Sequence, residues 1–314
     1  MVNHEYTYTS TGLKILRHLD VLRYFRNTRK IRPISLQIAP TSRCNLKCSF
    51  CSNVNRKEHE DINMADLITF IDSLASRGAK TVEWTGGGDP TQFPFIRNIL
   101  AYASHKHGLQ QGFITNGIDL VKKVGSSVCH LDWIRISLNS LEYVDDIDIP
   151  SYYEGVLGFS YVMNQKTNYK IIARINQYIE KYKPKYVRIV PDCQIPAAEL
   201  EEMNKSYARL VKDWGPPYFY QAKKFSVPSR CWWGYFKPFL LHNGYVYPCS
   251  SVVLNDTAER SFHDKFKWMT MQEFAVASES EAIPFVCKHC SCCVFGEQNK
   301  LIEAVINPEM ENFI

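Results

Sequence analysis

No stretch of this 314-residue chain approaches about 18 consecutive apolar residues, so no segment is long enough to cross a bilayer as a helix. The opening MVNHEYTYTSTG has neither a basic start followed by an apolar run nor a small-residue cleavage site, and nothing else points to secretion. A soluble, cytoplasmic protein is the expectation. Glycine and proline, at 15 each, are too sparse for a collagen-like or low-complexity chain, and 22% charged residues are too few for disorder. An excess of one charge is also missing. Thirty-seven Lys and Arg against 32 Asp and Glu leave a net +5, which does not demand a nucleic-acid or membrane partner but permits an anionic substrate. What remains is a globular chain, 45% hydrophobic, able to bury a large core.

Cysteine is abundant, at 11 residues, and an odd count resists complete pairing. In a reducing compartment, clustered cysteines read as metal or iron–sulfur ligands rather than as a disulfide framework.

Residues 13–25 place Leu13, Leu16, Leu19, Leu22 and Phe25 at helical spacing, with Lys14, Arg17, Arg23 and Arg26 between them. With Arg29, Lys30 and Arg32 this makes residues 1–33 a basic helix and linker. A packing helix with a solvated basic face is favoured over a phosphate contact. From Ile34 to about Gly215, short apolar runs alternate with amphipathic ones. Strands are expected at 34–39, 81–85, 111–115, 133–138, 169–175 and 186–191. Helices are expected at 64–77, capped by Asn63 and closed by Gly78, and near 94–106, 118–125, 151–164, 176–182 and 197–213. Six such repeats imply a partial (β/α)6 barrel spanning 34–215, with chemistry at the C-terminal strand ends. After Trp214-Gly215-Pro216-Pro217 the rhythm breaks, and 216–314 reads as a second, cysteine-rich unit. In it, 239–249 is a hairpin turning at Asn243-Gly244, and 269–278 is a candidate helix.

Just past the first strand, Cys44, Cys48 and Cys51 follow a C-x3-C-x2-C spacing. Three thiolates hold three corners of a cubane whose usual complement is four, leaving one iron open to another ligand. Zinc is the alternative, but structural zinc wants four closed ligands, and the nearest further donor is His59. The second strand runs into Gly86, Gly87, Gly88 and Asp89, where the backbone can approach a ligand closely beside a carboxylate suited to an ammonium group. A second set, Cys231, Cys249, Cys287 and Cys290, joins a hairpin to a C-x2-C pair, the arrangement of a closed four-ligand metal site, zinc or iron–sulfur alike. Cys292 and Cys293 stand close enough to replace either member of that pair. Cys193 lies on the active rim, either as a hydrogen-atom donor or as an ordinary buried thiol, whereas Cys129 reads as packing. His242 and His289 neighbour the second set without being needed as ligands.

In CNLKCSFC, with Phe50 before the last cysteine, and in TGGGDP after the second strand, the chain resembles the radical S-adenosylmethionine enzymes. The resemblance implies a [4Fe–4S] cluster whose open iron takes the amino and carboxylate groups of S-adenosylmethionine. Gly87, Gly88 and Asp89 would meet the methionyl ammonium, with Asp89 standing where the family favours glutamate. By position rather than by motif, Asn116, Ser137, Asn139 and Arg174 fall where the family holds the ribose and carboxylate, and Val190 where the backbone lies along the adenine. The second cysteine set resembles the twitch domain, a shortened relative of the SPASM domain carrying one auxiliary [4Fe–4S] cluster.

So read, the chain is an oxidoreductase or isomerase that cleaves S-adenosylmethionine to a 5′-deoxyadenosyl radical and takes a hydrogen atom from a small metabolite or nucleoside-type substrate. The auxiliary cluster accepts an electron or positions the substrate, and flavodoxin or ferredoxin supplies the first electron. A base within DNA or RNA ranks second as substrate and a peptide third. The rival from another class is a non-catalytic module with two zinc sites.

Overall fold

In the computed structural model, the residues described are 7–9, 12–53, 56, 59–222, 228–251, 265–277, 285–286, 290 and 293–308. Six parallel strands follow one another in chain order: β1 (Ser35–Ile38), β2 (Thr81–Trp84), β3 (Gln110–Thr115), β4 (Trp133–Ser137), β5 (Val156–Met163) and β6 (Tyr186–Pro191). A seventh parallel strand, β7 (Tyr218–Tyr220), lies beyond β6, so the repeat runs past Gly215. On the other side of β1 come β9 (Phe239–Leu240), β10 (Tyr245–Tyr247) and β11 (Met269–Thr270), giving one open ten-stranded sheet. The short β8 (Arg230–Cys231) and β12 (Phe285–Val286) pair antiparallel outside it. The partial barrel is therefore an unclosed α/β sheet, and the C-terminal hairpin extends it instead of standing apart.

The helix Met64–Ser76 forms where expected: the Asn63 side chain accepts from the backbone N–H of Ala65 and Asp66, and Gly78 takes φ +104° just past its end. The hairpin also matches, with Gly244 at φ +78° closing a three-residue loop between Leu241 and Tyr245.

The expected order fails at two neighbouring segments. Residues 169–175 are helix, part of Tyr169–Tyr182, and 156–163 within the expected helix are strand β5. The Asn168 side chain caps the helix by accepting from Lys170 and Ile171, and Ile171, Ile175, Tyr178 and Tyr182 recur at helical spacing. Gly155 and Gly158 weaken a helix through 156–163, whose apolar residues suit a strand buried on both faces. The stretch expected as helix at 118–125 is a turn of wide helix, Leu120–Val124, running into the tighter Gly125–His130.

The N-terminal helix is broken into a single turn at Gly12–Ile15, a tight turn at Leu16–His18 and a helix at Leu19–Thr28. Of the five residues expected on one face, Leu22 and Phe25 are buried while Leu13, Leu16 and Leu19 are exposed. A strict three-residue spacing drifts around a 3.6-residue helix, so five such positions never share one stripe. Phe25 sits among Trp232, Tyr235 and Phe236, with ring centroids 5.1–5.6 Å away. Burial of one such ring contributes about 1.5–3 kcal/mol, and this cluster ties the N-terminal helix to the C-terminal region.

Candidate active site

The stem of the cysteine loop is a small ladder. Ser42 N–H donates to the Glu60 carbonyl, Glu60 N–H to Ser42 Oγ, and Ile62 N–H to the Pro40 carbonyl, each at 2.8–2.9 Å. Thr41 Oγ1 bonds Asp61 at 2.6 Å, and Arg43 Nε pairs with the same carboxylate at 3.1 Å. Above that stem Cys44, Cys48 and Cys51 stand half-buried and close together, and Cys51 helps raise the thiol pKa of the other two. Burial and the neighbouring Cys51 push the Cys48 thiol up to about 11, and burial with Asp89 raises Cys44. Thiolates in this setting need positive charge nearby, and metal supplies it.

The donor set fits such a group. Backbone N–H of Leu46 and of Asn53 point at Cys44 Sγ and Cys51 Sγ at 3.4 Å, and Arg56 reaches Cys51 Sγ at 3.5 Å while bonding the Leu46 and Asn53 carbonyls. Donors aimed at sulfur tune and orient a ligating thiolate. Among the described residues, no three His, Cys, Asp or Glu side chains close around a single metal ion. Three clustered thiols suit a cluster with a free corner, whereas a lone structural zinc wants four ligands.

The glycine-rich segment is pressed onto this stem. Gly88 N–H donates to the Thr41 carbonyl and Asp89 N–H to the Arg43 carbonyl, at 2.9 and 2.8 Å. A Cβ on Gly88 would stand 1.9 Å from the Arg43 carbonyl oxygen, and one on Gly87 2.7 Å from the His242 ring. Glycine is therefore required by backbone packing here, whatever ligand the segment meets. His242 also pairs with Glu60 at 3.1 Å, which fastens the hairpin to the cysteine loop.

Asp89 is 3% exposed and takes hydrogen bonds from Thr91 N–H, Thr91 Oγ1, Thr115 Oγ1 and Asn116 N–H. Burial pushes its carboxyl up, and those donors pull it back. It links the ends of β2 and β3. Asn116 Nδ2 donates to Asn45 Oδ1 at 2.6 Å and lies 3.8 Å from Cys44 Sγ. Asn139 is buried and pairs with both backbone groups of Val162, with Ser137 Oγ 3.4 Å from its amide oxygen, so the two join the ends of β4 and β5.

Arg174 does not end a strand. From the helix Tyr169–Tyr182 it donates to the carbonyls of Leu141, Val144 and Asp145, clamping the segment after β4. Val190 lies near the end of β6, in register with Val162. Just beyond, Cys193 Sγ is 3.4 Å from the Phe50 carbonyl and Gln194 Nε2 is 2.8 Å from that of Cys51, so β6 returns to the cysteine loop. Cys129, expected as packing, is exposed.

Two contributors escaped the sequence reading. Tyr143 hydrogen-bonds Cys48, with Lys166 Nζ 3.8 Å from its ring centre, and Arg56 braces Cys51. Arg56 follows the last cysteine by five residues, a signal within reach, whereas Tyr143 is distant in sequence.

In the second set, Cys231 and Cys249 are buried, Cys290 is half-buried and Cys293 is buried. Asn299 Nδ2 approaches Cys231 Sγ at 3.4 Å. Cys287, Cys292 and His289 lie outside the described residues.

The open sheet thus carries the cysteine loop, the glycine segment and the polar strand ends on one rim. Residues 38–191 match the model of the Radical SAM superfamily and form a Radical SAM domain. That superfamily uses a [4Fe–4S] cluster and S-adenosylmethionine. The chain is 28% identical over 162 residues to the mitochondrial GTP 3′,8-cyclase of Arabidopsis thaliana, covering 49% of this chain and 38% of that one. It is 23% identical over 182 residues to an S-adenosylmethionine-dependent nucleotide dehydratase of a Thermoplasmatales archaeon, covering 52% and 62%. Each match thus spans less than two thirds of the relative. The fold is similar to that of Streptococcus suis SuiB bound to its precursor peptide SuiA, at TM-score 0.54 and 18% identity, covering 88% of this chain and 71% of that one. No helix among the described residues is long and apolar enough to cross a membrane.

Proposed function

We propose that this chain holds a [4Fe–4S] cluster on Cys44, Cys48 and Cys51, cleaves S-adenosylmethionine reductively, and takes a hydrogen atom from a nucleotide or another small metabolite. The observation that carries the reading is the group of three half-buried thiols at the C-terminal mouth of a parallel sheet, with N–H donors at two of their sulfurs. Bound there, cluster and cosubstrate would supply a 5′-deoxyadenosyl radical for each electron received from a carrier such as flavodoxin or ferredoxin.

The chain's own part is placement and shielding. Gly87 and Gly88 bring backbone to the mouth, and Phe50 and Val190 give it apolar walls. Asp89, Asn116, Ser137 and Asn139 fix the strand ends around the cosubstrate, and Arg174 acts at one remove by holding 141–145. Cys193 is the candidate hydrogen-atom donor to a product radical. Residues 34–215 with β7 form the catalytic unit, 1–33 its cover. Residues 216–314 would carry an auxiliary [4Fe–4S] cluster on Cys231, Cys249, Cys287 and Cys290, which takes up an electron or anchors substrate.

The nucleotide preference is supported by the names of the cyclase and dehydratase relatives; a nucleic-acid base or a peptide would be the other outcomes of a substrate screen. The decisive test is incubation of anaerobically purified protein with dithionite and S-adenosylmethionine. 5′-Deoxyadenosine and methionine should form in equal amounts. Their absence, with clusters shown intact and reduced by their absorption, would overturn the reading.

A further inference from the structure

The sheet has two faces with different chemistry. On one, Gln111 Nε2 bonds the Leu100 carbonyl of the helix Ile96–His107, and Trp84 Nε1 bonds Gln111, so this is the helix-covered side. Strand alternation puts Glu83, Arg135 and Arg188 on the opposite, interior face. Lys237, just before β9, reaches the same place and pairs with Glu83 at 3.2 Å, and Gln37 donates to that carboxylate at 2.7 Å.

Glu83 is the single acidic side chain in this group. Burial alone would raise its pKa, yet Lys237, Arg135 and Arg188 together hold it below its usual range. Lys237, Arg135 and Arg188 thus share one carboxylate, and Lys14 faces it as well. Arg188, pushed down to about 9 by burial and by Arg135, remains charged at neutral pH. The Nε atoms of Arg135 and Arg188 are both buried, and neither has a hydrogen-bond partner among the described residues. A buried guanidinium donor without an acceptor costs free energy, and a structure retains such donors where a ligand completes them.

Two aromatic rings wall the group on this face. Gly112 and Gly158 are required because the Trp133 and Tyr186 rings fold across them, each 2.1 Å from where a Cβ would stand. Tyr8 stacks on Tyr186 with centroids 4.4 Å apart, and Arg135 lies 5.7 Å from the Trp133 ring centre. Arg135 is in register with Gly158 and Arg188 with Ser160, so the two side chains rise from β4 and β6, on either side of β5.

We infer that Arg135, Arg188 and Lys237 form an anion receptor inside the sheet that takes the phosphate groups of the substrate. The planar guanidinium forks suit phosphate oxygens bidentately, and a multiply charged anion cancels the surplus that Glu83 leaves. This deepens the nucleotide reading above and rests on it.

The test uses the cluster-loaded protein and three probes: pyrophosphate, GTP and guanosine. Pyrophosphate should raise the melting temperature of the wild type, and GTP should bind at least about tenfold more tightly than guanosine. Arg188→Met and Arg135→Met should each remove most of the pyrophosphate effect while leaving the protein no less stable without the anion. Arg188→Lys, which keeps charge and length, serves if the Met variant does not fold, and should weaken pyrophosphate binding by several-fold. No pyrophosphate effect on the wild type, or an effect surviving in the variants, would overturn the receptor. Equal binding of GTP and guanosine would also overturn it, while the nucleotide reading stands. Conversely, a pyrophosphate effect lost in the variants, with neither GTP nor guanosine bound, would keep the receptor and remove the nucleotide.

Discussion

The mouth of the barrel and its interior spend their polar groups in opposite ways. At the mouth, Asp89, Asn116 and Asn139 each engage protein partners, and those bonds join the ends of neighbouring strands. In the interior, Glu83 answers several cations and two guanidinium Nε atoms have no acceptor among the described residues. A saturated network holds geometry and tolerates the loss of one member. An unsaturated charge cluster depends on each remaining counter-charge, because nothing else offsets the burial.

The largest effect belongs to the thiols. Cys44→Ala, Cys48→Ala or Cys51→Ala should bring 5′-deoxyadenosine formation to the buffer background, measured by chromatography. Cys231→Ala or Cys249→Ala should instead stop product formation while part of the cleavage continues. Identical behaviour of both groups would refute the division of labour between the two cysteine sets.

Next comes Glu83→Gln, which removes the interior's shared carboxylate and should destabilise the protein by about 3–5 kcal/mol at neutral pH in denaturant unfolding. The pH dependence has a definite sign. Glu83 is held below its ordinary value of 4.5, so its stabilisation is present above that pH and is lost as pH falls through the lower folded-state value. The gap between wild type and Glu83→Gln should therefore shrink in acid below about pH 4.5, and a gap independent of pH would show that the charge is not what matters. The same variant should bind pyrophosphate more tightly than wild type, since it enlarges the positive surplus.

Back at the mouth, Gly88→Ala places a methyl group against the Arg43 carbonyl, which sits 1.9 Å from its position. Backbone on both sides limits relaxation, and the cost should be about 1–3 kcal/mol with reduced iron content. Full iron loading and an unchanged melting temperature would mean that segment and stem are not locked together.

How much of this was legible follows the range of the interactions. The cysteine loop and Gly86–Gly88 are local motifs after strand ends, so spacing in sequence placed them on one rim. Met64–Ser76 was readable because its cap is a neighbour, Asn63. The swap of strand and helix across 151–182 arises because short apolar runs fit both periods, and the Asn168 cap is what decides between them. Arg174 was misplaced with it. The interior cations were unreadable for another reason: Arg135, Arg188 and Lys237 are single charges in separate strands or loops, and only the register of the sheet brings them to one face. Tyr143 at Cys48 is hidden in the same way.

The smallest effect tests the saturated side of the contrast. Asn116→Ala removes the 2.6 Å bond to Asn45 and the approach to Cys44 Sγ at 3.8 Å, but leaves the Asn116 backbone N–H on Asp89. Asn45 keeps its bond to Asp119, which Gln92 also supports at 2.7 Å, and the Asn116–Asn45 contact is exposed enough for water to replace the lost donor. The cost should be about 1 kcal/mol in the unfolding midpoint with an unchanged slope, and iron should be retained in full. If the loss instead matched that of Glu83→Gln, the mouth would be as dependent on single partners as the interior, and its polar groups would have to be read as held in strain for a ligand rather than as bracing between strands.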